Sequence, residues 1–382
     1  LTVLQLISSQ GFYGMENMLL ELSGGLRRFG MRPVIGVFED AREPHTEIAD
    51  HAQSWGFTVE KIPCSGRLDL GAVKTIRNLI LTYRADVIHS HGYKADIYAW
   101  SAAGRGQAMI ATSHNWPSRR WNMRVYAALD RLLLRRFDAV AVISDPVARK
   151  LQRWGVKPEA IRSIPNGVDI ERFRDAQPTL RSEIPGNCGT VVGCVGRAIP
   201  AKGGREFLEA ARVVLERFPD THFVWIGDGP ALADWKASAA QLGIERSVGF
   251  TGARNDMPGV YASLDFVVLP SLEEAMPMCL IEAMAAGRPV VASDVGAVNR
   301  VVQSEITGLL APPGDTFALA AAMMRLIGDR GLARAFGAAG LSRAMELFSI
   351  EATAQSYADL YQRAIGRQVR PVEAGVLESR AS

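Results

Sequence analysis

Thirteen short runs of aliphatic and β-branched residues punctuate this chain, and most lead into a stretch with helical apolar spacing. Seven lie in the first half: "TVLQLIS", "RPVIGVF", "FTVEKIP", "DVIHSH", "AMIATSH", "AVAVIS" and "AIRSIPNG". Six lie in the second: "TVVGCVG", "HFVWIGDG", "SVGFTG", "DFVVLP", "PVVASD" and "TGLLAP". Amphipathic segments such as "GGREFLEAARVVLERFP" and "TFALAAAMMRLIGDRG" stand between them. Strands that alternate with helices pair in parallel, since the chain must cross back over the sheet before the next strand. The crossing helices then bury both sheet faces. Two such sets predict an α/β protein of two doubly wound domains, and 382 residues give room for both.

The segment "PNGVDIERFRDAQPTLRSEIPGNCG" separates the sets. It is rich in Pro, Asn, Gly and charge, and it lacks a hydrophobic period. The expected boundary is near Gly186, giving a first domain over 1–186 and a second over 187–350. The helical pattern in "SIEATAQSYADLYQRAIG" predicts a closing helix over 351–367 that packs back on the first domain. The aperiodic tail, 368–382, is expected to be disordered.

Several function classes are disfavoured at this stage. The four cysteines (Cys64, Cys188, Cys194, Cys279) form no Cys-x-x-Cys, which argues against a zinc site and a disulfide framework and for a reducing cytoplasm. His45, His51, His89 and His222 have no metal-ligand spacing, so no metal is expected. No apolar run reaches the roughly 18–20 residues of a membrane span. The chain opens on a strand, "LTVLQLIS", and not on a signal-peptide pattern. Residues 1–186 carry 25 Lys and Arg against 19 Asp and Glu, whereas the remainder carries 18 against 21. That modest basic excess suits an anionic partner without requiring nucleic acid.

In doubly wound sheets ligands gather at the carboxyl ends of the strands, so the loops leaving those ends carry the chemistry. The first strand runs into "SSQGFYGMENMLLEL", where Gly11 and Gly14 relax the turn and Tyr13 stands before a helix. This is not Gly-x-Gly-x-x-Gly, which disfavours a nicotinamide site, yet a helix start still offers N–H groups to an anion. The second half opens with "VGCVGRAIPAKGGREF". Gly196 ends the strand, and Arg197 and Lys202 stand before the next helix, where cations can hold a diphosphate. "WIGDGP" supplies a further turn through Gly227 and Gly229, and Arg254 follows the strand "SVGFTG".

The run "EEAMPMCLIEAMAAGRPVVASD" holds two carboxylates, Glu274 and Glu282, eight residues apart in apolar surroundings. Pro277 suits a helix start and Gly287 a helix end, which places Glu274 in a loop and Glu282 in a short helix. The two would then line one wall of a pocket and reach different parts of one extended ligand. Carboxylates accept paired hydroxyl hydrogen bonds, which suits a ribose or a sugar.

Glu274-x7-Glu282 followed by "AMAAGRPVVAS" resembles the signature of retaining glycosyltransferases of family 4. "IPNGVD", Gly196-Arg197 with Lys202, "GDGP", "GLLAPPGD" and "TSH" fall where that family has similar runs, so the resemblance spans essentially the whole chain. It implies the GT-B architecture, two Rossmann-like domains facing a central cleft. It implies that Glu282 binds the ribose of a nucleoside diphosphate sugar and that Glu274 contacts the transferred sugar. Arg197 and Lys202 would hold the diphosphate, assisted by backbone groups from Met276, Pro277, Met278, Cys279 and Leu280, with His114 touching the donor sugar from the other domain. Gly14, Gly196, Gly227, Gly229 and Arg254 complete the donor set, and Tyr13, His91 and Trp116 are acceptor-side candidates. The first loop departs from the family's adjacent glycines, reading Gly11-Phe-Tyr-Gly14.

The implied donor is a UDP-sugar, the acceptor a glycan or lipid-linked hydroxyl, and no further cofactor is implied. No Asp-x-Asp is present, so the cations would replace a metal on the leaving diphosphate. A sugar-nucleotide 2-epimerase and a non-catalytic sugar-nucleotide-binding protein of the same fold are the competing readings. Finally, "NWPSRRWNMRVYAALDRLLLRRF" follows His114 and brings Arg120, Arg124, Arg131 and Arg135 to one side of a helix, beside an apolar stripe. Such a surface suits an anionic membrane and predicts a peripheral position on its inner face.

Overall fold

The computed structural model describes residues 1–9, 11–66, 69–104, 106–113, 132–143, 145–184 and 189–368. The chain divides into two compact units. The first comprises Leu1–Ile164 with Ala354–Ser382, and the second Pro165–Thr353.

The first unit is built on a seven-stranded sheet: β1 (Thr2–Ile7), β2 (Arg32–Asp40), β3 (Thr58–Cys64), β4 (Val87–His91), β5 (Ala108–Ser113), β6 (Ala139–Val142) and β7 (Ile161–Ser163). Its order is β3-β2-β1-β4-β5-β6-β7, and every neighbouring pair is parallel. Side chains alternate between two cores. Leu4 and Leu6 join Ile76 and Tyr98 on one face, and Ile7, Ile35 and Val37 meet Leu19 and Leu20 on the other. Burial on both faces is why the inner strands of this sheet read as near-continuous apolar runs.

The second unit holds β8 (Thr190–Val195), β9 (Thr221–Ile226), β10 (Val248–Gly252), β11 (Phe266–Leu269), β12 (Val290–Ser293) and β13 (Gly308–Ala311). The order is β10-β9-β8-β11-β12-β13, again all parallel. Its strand order reverses between β8 and β11, which makes the ground beyond their carboxyl ends the topological switch point, where such folds hold ligands.

The unit boundary lies at Ile164/Pro165 and not near Gly186. Residues 165–184 look like a linker in composition, but they are fastened to the second unit. The N–H groups of Thr179 and Leu180 donate to Ser263 Oγ at 3.0 and 2.8 Å. Arg181 reaches Asp265 at 2.7 Å, and Phe173 packs edge-on against Tyr261. Much of 171–183 is exposed, as its polar composition suggests, yet it is hydrogen-bonded to the second unit.

The helix Ile350–Gln368 carries the chain back, and its residues from Ala354 onward belong to the first unit. Tyr357 and Tyr361 are fully buried there. Tyr357 shares a 2.8 Å hydrogen bond with Thr112 Oγ1, and Tyr361 shares one of 2.8 Å with His89 Nδ1. His89 Nε2 in turn meets Thr112 Oγ1 at 2.7 Å. Of the tail expected to be disordered, 368–382, Gln368 ends this helix and 369–382 lie outside the described residues.

Candidate active site

The loops leaving β8, β11 and β12 are drawn together by backbone contacts that only glycine permits. Gly203 has φ +71°, and a Cβ on it would lie 2.0 Å from the carbonyl oxygen of Pro270. Gly296 has φ +58°, with a Cβ position 1.8 Å from the carbonyl oxygen of Glu274. The peptide after β11 is therefore clamped from two sides. Replacing Gly203 by alanine is expected to lower stability by about 1–3 kcal/mol from backbone strain alone, with the clash adding to it. Chemical denaturation against the parent protein measures this.

The clamp brings Lys202 onto Glu274. Lys202 Nζ stands 2.6 Å from Glu274 Oε1, and Ser271 Oγ donates to the same oxygen at 2.7 Å. The Glu274 side chain is 7% exposed and that of Lys202 23%. Burial alone would pull the Lys202 ammonium down, but its neighbours together, Glu274 foremost, lift the group above its ordinary range. Lys202 is thus a fixed cation. Burial pushes the neighbouring Cys279 thiol up to about 12 and holds Cys194 well above its usual range. Neither sulfur is a thiolate nucleophile at neutral pH.

Glu282 sits within the helix Met278–Ala285. It is 7% exposed, and Tyr261 Oη donates to its Oε2 at 2.7 Å. Met276, Met278 and Leu280 are buried beside it, and Pro277 occupies the position just before the helix. Arg197 follows Gly196 at the end of β8 and is half-buried. The "WIGDGP" turn lies against this loop. The N–H of Ala198 donates to the Asp228 carbonyl at 2.8 Å, and Gly227 and Gly229 approach Gly196 and Ala198.

Two expected site residues are already engaged by other side chains. Arg254 is engaged within its own unit. It meets both oxygens of Glu183 at 2.8 Å and chelates Asp256 at 2.8 and 2.7 Å. These hydrogen bonds, first those of Asp256 and then Glu183, raise its pKa. In this structure that guanidinium braces its own unit. The same hydrogen bonds lower Asp256 from 3.8 to about 2. Its folded value lies below the unfolded one, so this contribution is full above about pH 4 and is lost as pH falls towards 2. Arg254→Ala should flatten the acid limb of the stability–pH curve across that window, as equilibrium unfolding would record.

The second of them is His91. It is 1% exposed, with Nε2 2.8 Å from Gln5 Oε1 and the His89 ring tilted against it with centroids 4.2 Å apart. It is a core residue of the first sheet. A polar side chain at a strand end looks the same in sequence whether it points inward or outward.

The first loop has its own organisation. The helix Gly14–Arg28 follows Tyr13, which is exposed. The Tyr13 N–H donates to Glu16 Oε2 at 3.1 Å, and Ser9 Oγ donates to Glu16 Oε1 at 2.9 Å. Burial raises the Glu16 carboxyl despite these bonds. Sequence reading missed Glu16, Ser271 and Tyr261. For Glu16 the signal was its place three residues after the helix-preceding position.

His114, Trp116, Arg120, Arg124 and Arg131 lie outside the described residues. Arg135 is described, and its Nε donates to the Trp154 carbonyl at 2.6 Å. Among the described residues no group of three His, Cys, Asp or Glu could hold a metal ion. No described helix is long and apolar enough to cross a membrane.

Two parallel, doubly wound sheets with a charged constellation at a switch point define a class, the GT-B proteins. Accordingly, the chain superimposes on the crystal structure of Anabaena HepE in complex with UDP and glucose. The TM-score is 0.83 at 22% identity, covering 94% of this chain and 99% of that one. The family description "Glycosyltransferase Family 4" matches residues 12–172, and "Glycosyl transferases group 1" matches residues 189–329. Among curated relatives, the phosphatidyl-myo-inositol mannosyltransferase of Mycolicibacterium smegmatis is 30% identical over 326 residues, 83% of this chain and 81% of the relative. The UDP-Gal:alpha-D-GlcNAc-diphosphoundecaprenol alpha-1,3-galactosyltransferase of Escherichia coli is 28% identical over 284 residues, 69% of this chain and 73% of the relative. The chain belongs to the retaining glycosyltransferases of family 4. Its activity is the transfer of a sugar from a nucleoside diphosphate sugar to an acceptor hydroxyl.

Proposed function

We propose that the donor is a UDP-sugar and the acceptor a lipid-linked or glycan hydroxyl, in the assembly of cell-surface polysaccharide, lipopolysaccharide or glycolipid at the cytoplasmic face of a membrane. The observation that carries this reading is the convergence of Lys202 and Ser271 on one oxygen of Glu274 at the second unit's switch point. Names of relatives support the choice of partners: a UDP-galactose donor with a diphosphoundecaprenol acceptor in one, and a phosphatidyl-inositol acceptor in another. Docking on anionic lipid through Arg120, Arg124, Arg131 and Arg135 is part of the proposal and rests on sequence alone.

In this reading Glu282 accepts the ribose hydroxyls and Glu274 accepts hydroxyls of the sugar to be moved. Lys202 and Arg197 neutralise the leaving diphosphate, so no metal or other cofactor is required. The anomeric C–O bond breaks with its electron pair passing to the diphosphate oxygen, through an oxocarbenium-like state. The acceptor oxygen bonds to the anomeric carbon on the same face, and its proton passes to the departing phosphate oxygen. The high Cys279 and Cys194 values leave no thiolate to compete as nucleophile. His114, with Trp116 and Tyr13 towards the acceptor, is assigned on the family resemblance.

Incubation with UDP-, GDP- and ADP-sugars tests the reading. Slow release of free UDP supports it, interconversion of sugars favours an epimerase, and binding without turnover favours a binding protein. Glu282→Ala should raise the donor KM about tenfold while changing kcat little, because a ribose contact is made equally in ground and transition states. Initial rates across donor concentration measure the split; an unchanged KM removes Glu282 from the ribose.

A further inference from the structure

The helix Met257–Ser263 holds a tyrosine that its own packing does not call for. Tyr261 is fully buried. Its ring meets Phe173 edge-on, with centroids 5.8 Å apart. The helix is anchored without the hydroxyl. Ser263 Oγ accepts from the N–H groups of Thr179 and Leu180 and donates to the Gly259 carbonyl at 2.7 Å. Arg288 donates to the Ala262 carbonyl at 2.8 Å. Phenylalanine would fill the same space and avoid burying a polar atom, which costs free energy unless it is bonded. The hydroxyl instead spends its hydrogen on Glu282 Oε2, at 2.7 Å.

We infer that Tyr261 is a positioning residue of the donor site: its hydroxyl, fixed on an anchored helix, locks the rotation of the Glu282 carboxylate so that the carboxylate meets the nucleotide ribose in a single orientation. The inference rests on the proposed role of Glu282. Two further facts fit it. Burial first, and then the nearby Glu282 charge, hold the Tyr261 phenol far above its usual range, so it remains a donor at every working pH. Glutamate has a broad terminal torsion, and a carboxylate held on one oxygen forfeits less freedom when a ligand binds.

The test is calorimetric titration with UDP and with 2′,3′-dideoxy-UDP, which lacks the ribose hydroxyls. Wild-type protein should prefer UDP. Tyr261→Phe should bind UDP on the order of tenfold more weakly and dideoxy-UDP as well as wild type does, with donor KM raised and kcat little changed. Phe173→Leu removes the ring contact but keeps the hydroxyl, and should lower the unfolding midpoint while leaving the UDP preference intact. Equal weakening of both nucleotides in Tyr261→Phe, or loss of the preference in Phe173→Leu, would make the effect one of packing and overturn the inference. Glu282→Asp withdraws the carboxylate by one methylene and reads the same contact even if Tyr261→Phe does not fold; a full UDP preference in that variant also overturns it. Glu282→Ala separates the two levels. If it keeps the wild-type preference, the ribose assignment itself fails. If it loses the preference while Tyr261→Phe keeps it, only the role of Tyr261 fails.

Discussion

Lys202→Ala is expected to lower kcat by about 10²–10³-fold, the scale for removing one preorganised charge-stabilising donor from an active site. The ammonium is already fixed by Glu274 at 2.6 Å before any donor arrives, so little reorganisation is needed as negative charge develops on the diphosphate. Arginine should restore the activity only in part, since a planar guanidinium does not reproduce the geometry of a compact ammonium held 2.6 Å from Glu274. Steady-state release of nucleotide from the donor measures both variants, and wild-type kcat in Lys202→Ala would remove this residue from the chemistry.

The second large effect is at Glu274. Glu274→Ala should lower kcat by about 10²-fold through loss of sugar orientation. It should also destabilise the fold, by up to about 3–5 kcal/mol if Lys202 were left wholly buried and uncompensated. The 23% exposure of Lys202 reduces that figure by giving the ammonium access to water. In the double variant the two losses should not add, because the side chains touch. Unfolding and kinetics on the four proteins of the cycle separate the stability effect from the catalytic one. Simple additivity in kcat would mean that the ion pair does not act as a unit.

The thirteen described strands could be read from the chain, the inner ones because parallel strands buried on both faces need near-continuous apolar runs, and the partly exposed β3, β7 and β10 only as short β-branched or apolar runs. The loop and helix positions of Glu274 and Glu282 were legible for a related reason, since Pro277 and Gly287 bracket the helix that carries the second. What stayed hidden depends on contacts between residues distant in sequence. Composition could not tell that Thr179, Leu180 and Arg181 bond to Ser263 and Asp265, more than 80 residues on. Nor could it tell that Arg254 has Glu183 as its partner, 71 residues away. Ser271 and Tyr261 were passed over because each is ordinary for its element, and only the 2.7 Å approach to a carboxylate makes either informative.

The return of Ile350–Gln368 to the first sheet sets an order on synthesis. The second unit is continuous, from Pro165 to Thr353, and can complete its core once that stretch has left the ribosome. The first unit is made earlier but finished later. The partners that close over His89 and Thr112 are Tyr361 and Tyr357, separated from them by 272 and 245 residues. Until those tyrosines emerge, the nascent first sheet keeps polar side chains of β4 and β5 without their final covering, so the part of the protein translated first is the last to become native.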